Sequence, residues 1–261
     1  MSGWEMVAVA LAGLAAGSIN AVVGSGTLVT FPVLLAVGLP PVTATVSNSL
    51  GLVPGNLTGA IGYRRELRGQ RRLVLTLLPA SVLGALTGAF LLLHLPASAF
   101  EAVVPGLVAL AVVLVATQPL LARWLARRRT GTGPSPTDRV GPGRTAALFG
   151  SAYATGTYGG YFAASQGVLQ IGLFGLLLPH SLQQLNAIKN VLTLGVNAVA
   201  AVTYVVVATD RIDWRAAGLV AAGSLVGGWL GSRYGRRLPS TVLRTAIVVL
   251  GVVAIVVLVT R

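Results

Sequence analysis

The sequence predicts an all-α polytopic membrane protein made of two repeats of about five hydrophobic segments each, eight to ten transmembrane helices in all. Three observations carry this prediction. Of 261 residues, 54% are hydrophobic and only 10% are charged, against roughly 25% charged in a soluble domain. Apolar stretches follow one another along the chain, most of them near the ~20 residues that cross a bilayer as a helix. Polar and glycine markers then recur between the two halves at an almost constant offset. The mean hydropathy of +0.81 excludes disordered and collagen-like classes, and the absence of cysteine removes disulfide scaffolds and thiolate metal sites.

The segments justify themselves in order. Residues 4–23 come first; no Lys or Arg precedes them, so they read as a retained helix rather than a signal peptide. Residues 25–39 are short and bounded by Gly and Pro, in SGTLVTFP and GLPP. Residues 42–63, 73–94 and 99–122 complete the first repeat, 1–122. Residues 123–144 are basic and then rich in Pro, Gly and Thr, and form the linker. The second repeat, 145–261, holds 145–164, a second short segment at 166–180, then 185–208, 215–233 and 239–260. Short segments bounded by Gly and Pro read as broken or re-entrant helices, which the membrane tolerates only where protein or a watery cavity satisfies their backbone.

The repeat is marked by residues that composition bias would not place. Gly26 and Gly167, Asn56 and Asn197, and Tyr63 and Tyr204 are 141 apart; Gly84 and Gly227, Gly88 and Gly231, and Pro96 and Pro239 are 143 apart. The pairs Gly84/Gly88 and Gly227/Gly231 have the small-xxx-small spacing that lets helix backbones approach. Equivalent loops carry opposite charge bias. Arg64, Arg65, Arg68, Arg71 and Arg72 correspond to a balanced TDRIDWR, whereas HLPASAFE corresponds to a loop with Arg233, Arg236 and Arg237. Since basic loops stay in the cytoplasm, this predicts an inverted-topology repeat with both termini outside and the linker inside. Four crossings per half would instead put the Arg233 to Arg237 cluster outside. The net charge of +13 is thus an orientation record and not a nucleic-acid surface.

Inverted repeats with discontinuous helices place substrate near the midplane, where the broken segments meet. The candidate substrate-binding residues are Ser25, Gly26, Thr27, Ser47 and Asn48 in the first half, and Gln166, Gly167, Gln170, Asn186, Lys189 and Asn190 in the second. Exposed N–H groups at a helix start favour anions, although Gly and Ser there also serve simply as packing and capping residues. Amides inside a bilayer are costly unless paired or lining a wet path. The equivalence of Asn56 and Asn197 suits a structural bond between helices, and Gly84, Gly88, Gly227 and Gly231 are assigned to helix packing. Lys189 is the only lysine, and no acidic residue is near it in sequence. It is a candidate anion ligand, with snorkelling to a membrane face as the alternative. All six acidic residues fall at segment ends or in loops, where neither a midplane cation site nor a carboxylate relay would need them. No nucleophile or acid–base cluster suggests an enzyme, and no cofactor or metal is expected.

At these residues the chain resembles the sulfite exporter TauE/SafE family of membrane permeases. The resemblance rests on GSINAVVGSGTLVTFPVLL and ATVSNSLGLVPGNLTGAIGYRREL in the first half, with LNAIKNVLTLGVNAVAAVTYVV and DWRAAGLVAAGSLVGGWLGSR in the second. Ser25 interrupts the glycine-rich first motif, and Ser165 and Gln166 stand where the second copy would have glycines. The resemblance implies duplicated helical bundles in the cytoplasmic membrane that move a small anion such as sulfite or a sulfonate. The expected partners are that anion and the lipid bilayer; a homo-oligomer is compatible with the sequence. The alternatives are a carrier of another polar solute or a metal ion, and a scaffold or membrane enzyme.

Overall fold

The computed structural model describes residues 1–130 and 142–235, together with Thr245, Val248, Val249 and Val252. Among the described residues the chain forms α1 (Gly3–Val22), α2 (Thr27–Ala36), α3 (Pro41–Gly62), α4 (Arg71–His94), α5 (Ala97–Thr130), α6 (Pro142–Tyr161), α7 (Gln166–Leu177), α8 (Leu182–Val207) and α9 (Trp214–Tyr234), with a 3₁₀ turn at Thr209–Arg211. The first nine expected segments are therefore all helices. The tenth, 239–260, lies outside the described residues apart from those four positions, as do Arg236, Arg237, Pro239 and most of the linker.

Local chemistry sets the ends. Ser2 and Glu5 form a reciprocal capping box at α1, and Ser181 and Gln184 form another at α8, which starts that helix three residues earlier than its apolar run. The Asp213 carboxylate accepts from the Ala216 N–H and opens α9. The largest difference from the expected boundaries is at α5, which continues to Thr130. Its last turns are rich in Ala, Leu and Arg, all good helix formers.

Among the described residues four helices are long and apolar enough to cross a membrane: α1, α4, α5 over Ala97–Leu120, and α8. The remaining long helices, α3, α6 and α9, hold more Gly, Ser, Thr and Asn, and they pack inward through those residues. The principal contacts are α1 on α9, α3 on α9, α4 on α6, and both α3 and α4 on α8. At the α1–α9 seam a Cβ added to Gly227 would lie 2.0 Å from the Leu14 carbonyl oxygen, and one on Gly17 would lie 2.3 Å from that of Ser224. At the α4–α6 seam the same holds for Gly84 against the Tyr153 oxygen, 2.2 Å, and Gly88 against the Thr157 oxygen, 2.1 Å. Backbones this close pack by dispersion and by cross-helix bonds such as Ser18 Oγ to the Gly227 oxygen, 2.9 Å, and Ser224 Oγ to the Gly51 oxygen, 2.6 Å. Large apolar residues such as Leu11, Leu83, Val202 and Val206 point outward, where a soluble protein would place charge.

Candidate functional site

The two short helices start from breaks that touch. Between α1 and α2 the chain turns at Gly24, with φ of +88°; between α6 and α7 it passes through Ala163 and Ser165, with φ of +63° and +60°. Left-handed backbone is free for glycine and costly for alanine and serine, so the second break is held by its surroundings. The Gly167 N–H donates to the Gly24 oxygen at 3.2 Å. A Cβ on Gly24 would sit 2.5 Å from the Gly167 Cα, and one on Gly167 would sit 2.7 Å from the Lys189 Cδ. These two glycines are required by the approach of the breaks to each other and to the lysine.

The end of α1 supplies the lysine's partner. A helix leaves its last carbonyls without intrahelical donors, and α8 meets those of α1 with residues spaced i, i+3 and i+4. Lys189 Nζ donates to the Asn20 oxygen at 2.7 Å, while Asn186 Nδ2 and Asn190 Nδ2 both donate to the Ala21 oxygen, at 3.2 and 3.1 Å. A cation at the negative pole of a helix is favourably placed. Lys189 has 0% of its surface exposed, which corrects the snorkelling alternative: its long stem runs inward beneath Gly167.

The matching face of α3 carries Thr45, Asn48 and Ser49, each 141 residues before Asn186, Lys189 and Asn190. Asn48 Oδ1 accepts from the Thr30 hydroxyl at 2.5 Å, and its Nδ2 donates to the Thr27 hydroxyl at 3.2 Å, so it braces α2. In the second half the Thr193 hydroxyl donates to Gln170 Oε1 at 3.1 Å and ties α8 to α7. Asn56 Oδ1 accepts from Asn20 Nδ2 at 3.3 Å, and Asn20 Oδ1 accepts from the Gly26 N–H at 2.7 Å.

Among the described residues, several buried polar atoms around the crossing have no hydrogen-bond partner: the Ser25 hydroxyl, both amide atoms of Gln166, Gln170 Nε2, and the side-chain oxygen of Asn186. The ammonium of Lys189 uses one of its three donors. Orphan polar groups in a dry interior are costly, so these residues make the crossing the candidate site. The crossing itself is closed in this conformation, since the two breaks are in contact.

Most predicted residues therefore converge: Ser25 and Gly26 lie in the first break, and Thr27, Asn48, Gln166, Gly167, Gln170, Asn186, Lys189 and Asn190 lie on α2, α3, α7 and α8. Ser47 stands apart, its hydroxyl accepting from the Asp213 N–H at 2.9 Å beneath the start of α9. Asn20 was missed by sequence reasoning although it links the first break, Asn56 and Lys189. Its signal was present, as an amide inside an apolar segment four residues before Gly24, and the cost of a membrane amide applies to it as to the others.

A family model described as sulfite exporter TauE/SafE matches residues 9–258. The chain belongs to the sulfite exporter TauE/SafE family. Among TauE/SafE-related proteins, a "Probable membrane transporter protein" of Haemophilus influenzae is 24% identical over 240 residues, 91% of this chain and 88% of the relative. The "Probable membrane transporter protein YfcA" of Escherichia coli K12 is 26% identical over 224 residues, 85% of this chain and 76% of the relative. No solved structure matches. A TauE/SafE protein with these helices is a multi-pass membrane protein of a transporter family.

Proposed function

We propose that this TauE/SafE protein is a permease that exports a small anion, sulfite, a sulfonate or a related sulfur oxyanion, across the cytoplasmic membrane. The observation that carries the reading is Lys189, a fully buried cation without a carboxylate beside it, at the crossing of two helix starts. Helix N-termini favour anions through their free N–H groups and dipole. The Ser25 hydroxyl, the Gln166 amide and two ammonium donors of Lys189 are the side-chain groups available to oxyanion oxygens. A sulfur oxyanion offers several such oxygens, and its charge would replace the helix-end carbonyl as the main partner of the lysine.

We read the two halves as an inverted repeat, and the helix contacts support that reading. The first helix of each half packs on the fourth helix of the other, α1 on α9 and α6 on α4, and the polar faces of α3 and α8 match at a single offset. At 1.5 Å rise per residue, α2 and α7 are about 15 and 18 Å long. Meeting at their starts, they together match the roughly 30 Å hydrocarbon thickness, so their crossing falls near mid-depth. Because the crossing is closed on itself, transport requires the two breaks to separate toward one side and then the other. Outward movement of a monovalent anion is driven by an inside-negative potential, about 2.3 kcal/mol per 100 mV, with no coupling ion.

Proteoliposome flux of sulfite, taurine and thiosulfate, with and without an imposed potassium diffusion potential, tests the proposal. Sulfite flux should rise with the potential and fall at least tenfold in Lys189→Met, with the variant's helical circular dichroism retained. A flux of all three solutes equal to that of empty liposomes, or one indifferent to Lys189→Met, would overturn it.

A further inference from the structure

We infer that the cleft between the ends of α3 and α9 is a binding site for the phosphate headgroup of an anionic phospholipid, separate from the Lys189 crossing. The cleft has a volume of about 780 Å³ and is lined by Arg64, Arg65 and Arg233, with Trp229 and Ser232 on its α9 side and the half-buried Glu66 as its acidic member. Three guanidinium groups against one carboxylate select an anion. Arg65 and Arg233 make no hydrogen bond among the described residues, and Arg64 makes one long one, 3.4 Å, to the Ile61 oxygen. Among the described residues nearly all the donors of the three forks are therefore left to phosphate oxygens, the ligand that guanidinium geometry fits best.

The walls below the arginines point to a lipid rather than a soluble anion. Leu57 and Ile61, one turn apart on α3, and Leu225 and Trp229, one turn apart on α9, are all exposed. They continue the cleft as an apolar furrow toward the middle of the two helices, where the Thr58 hydroxyl donates to the Leu225 oxygen at 3.1 Å and closes the gap. The Arg233 guanidinium lies 5.5 Å from the centre of the Trp229 ring and 5.9 Å from that of Tyr234. Aromatic rings at this level, with basic groups just beyond, are the arrangement found where a headgroup meets acyl chains. A phospholipid would place its phosphate among the arginines and lay a chain along Leu57, Ile61 and Leu225.

The test uses the full-length protein in phosphatidylcholine vesicles, with brominated phosphatidylglycerol or brominated phosphatidylcholine as tryptophan quenchers. To isolate the cleft, Trp4, Trp124 and Trp214 are replaced by Phe and only Trp229 is left. Phosphatidylglycerol should quench Trp229 at a lower mole fraction than phosphatidylcholine. That preference should fall about fivefold for each of Arg64→Gln, Arg65→Gln and Arg233→Gln. The pair Arg71→Gln and Arg72→Gln, which removes twice the charge of any single cleft variant from the neighbouring start of α4, should leave it unchanged. An unchanged preference in the cleft variants, or an equal loss in the α4 pair, would overturn the site. Inorganic phosphate shifting Trp229 emission in pure phosphatidylcholine vesicles, with the same arginine dependence, would assign the cleft to a soluble anion and overturn the lipid reading.

Discussion

Two glycines of α9 provide a controlled test of how α1 and α9 meet. A Cβ on Gly227 would lie 2.0 Å from the Leu14 carbonyl oxygen, about 1.4 Å inside the 3.4 Å at which ordinary contact begins, and the next atoms met are also backbone. No side chain can swing aside, so the helices must part or slide. A Cβ on Gly218, in the same helix, meets nothing within 4 Å. Alanine is favoured over glycine in a helix by about 1 kcal/mol, which Gly218→Ala should show as a gain. Overpacking a close seam costs about 1–3 kcal/mol, and here it also loosens the Ser18 to Gly227 bond. Gly227→Ala should therefore lose about 1–2 kcal/mol net, placing the two variants roughly 2–3 kcal/mol apart. At about 2–4 °C per kcal/mol for a chain of this size, their melting temperatures in detergent should differ by on the order of 5–10 °C at one scan rate. Gly84→Ala, 143 residues earlier and facing the Tyr153 oxygen at 2.2 Å, should resemble Gly227→Ala. If Gly227→Ala melts with Gly218→Ala, the backbones do not approach as described and the packing argument is wrong.

Gly24→Ala should cost about 3 kcal/mol or more, because the left-handed backbone is unfavourable for alanine and the new carbon would lie 2.5 Å from the Gly167 Cα. Gly38→Ala, with φ of +90° but open space around it, should cost only about 1–2 kcal/mol; equal losses in denaturation scans would refute the contact between the breaks. Asn20→Leu should lower the melting temperature and sulfite flux together, because it strips the Gly26 N–H and Asn56 of their partner, at about 1–3 kcal/mol for the orphaned groups. Unaltered stability would mean that water replaces the amide. Tyr204→Phe removes the buried bond from its hydroxyl to the Gly160 oxygen, 2.5 Å; a loss of about 0.5–1.5 kcal/mol is expected, and a stabilised variant would contradict it.

Much of the candidate site was legible one residue at a time. Lys189 was conspicuous as the sole lysine in a chain of arginines, and Asn186 and Asn190 as amides in an apolar stretch. The breaks were visible because Gly24, Gly26 and Gly167 punctuate two segments too short to cross alone. The partner of Lys189 was not legible, because it is a backbone carbonyl at the end of α1, and every residue has one. Asn20 was legible as a membrane amide, but its role was not: that comes from lying beside the break, opposite Asn56 and under Lys189, residues 36 and 169 positions away.

The sequence by itself determined that this chain belongs in a membrane, roughly where its first nine helices lie, and which two of them are short. Those features follow from local rules: hydrocarbon demands long apolar helices with internally satisfied backbone, and Gly, Pro, Ser and Asp set their ends. Only the tertiary structure decided which helices share seams and which atoms face each other. In lipid a helix can be apolar on every side, so hydrophobic pattern does not single out the face that meets another helix. The choice falls to the fit of small residues against carbonyl oxygens, as with Gly227 on Leu14 and Gly167 on Gly24, and to the need to satisfy helix ends such as Asn20 and Ala21. Both are properties of pairs brought together by folding.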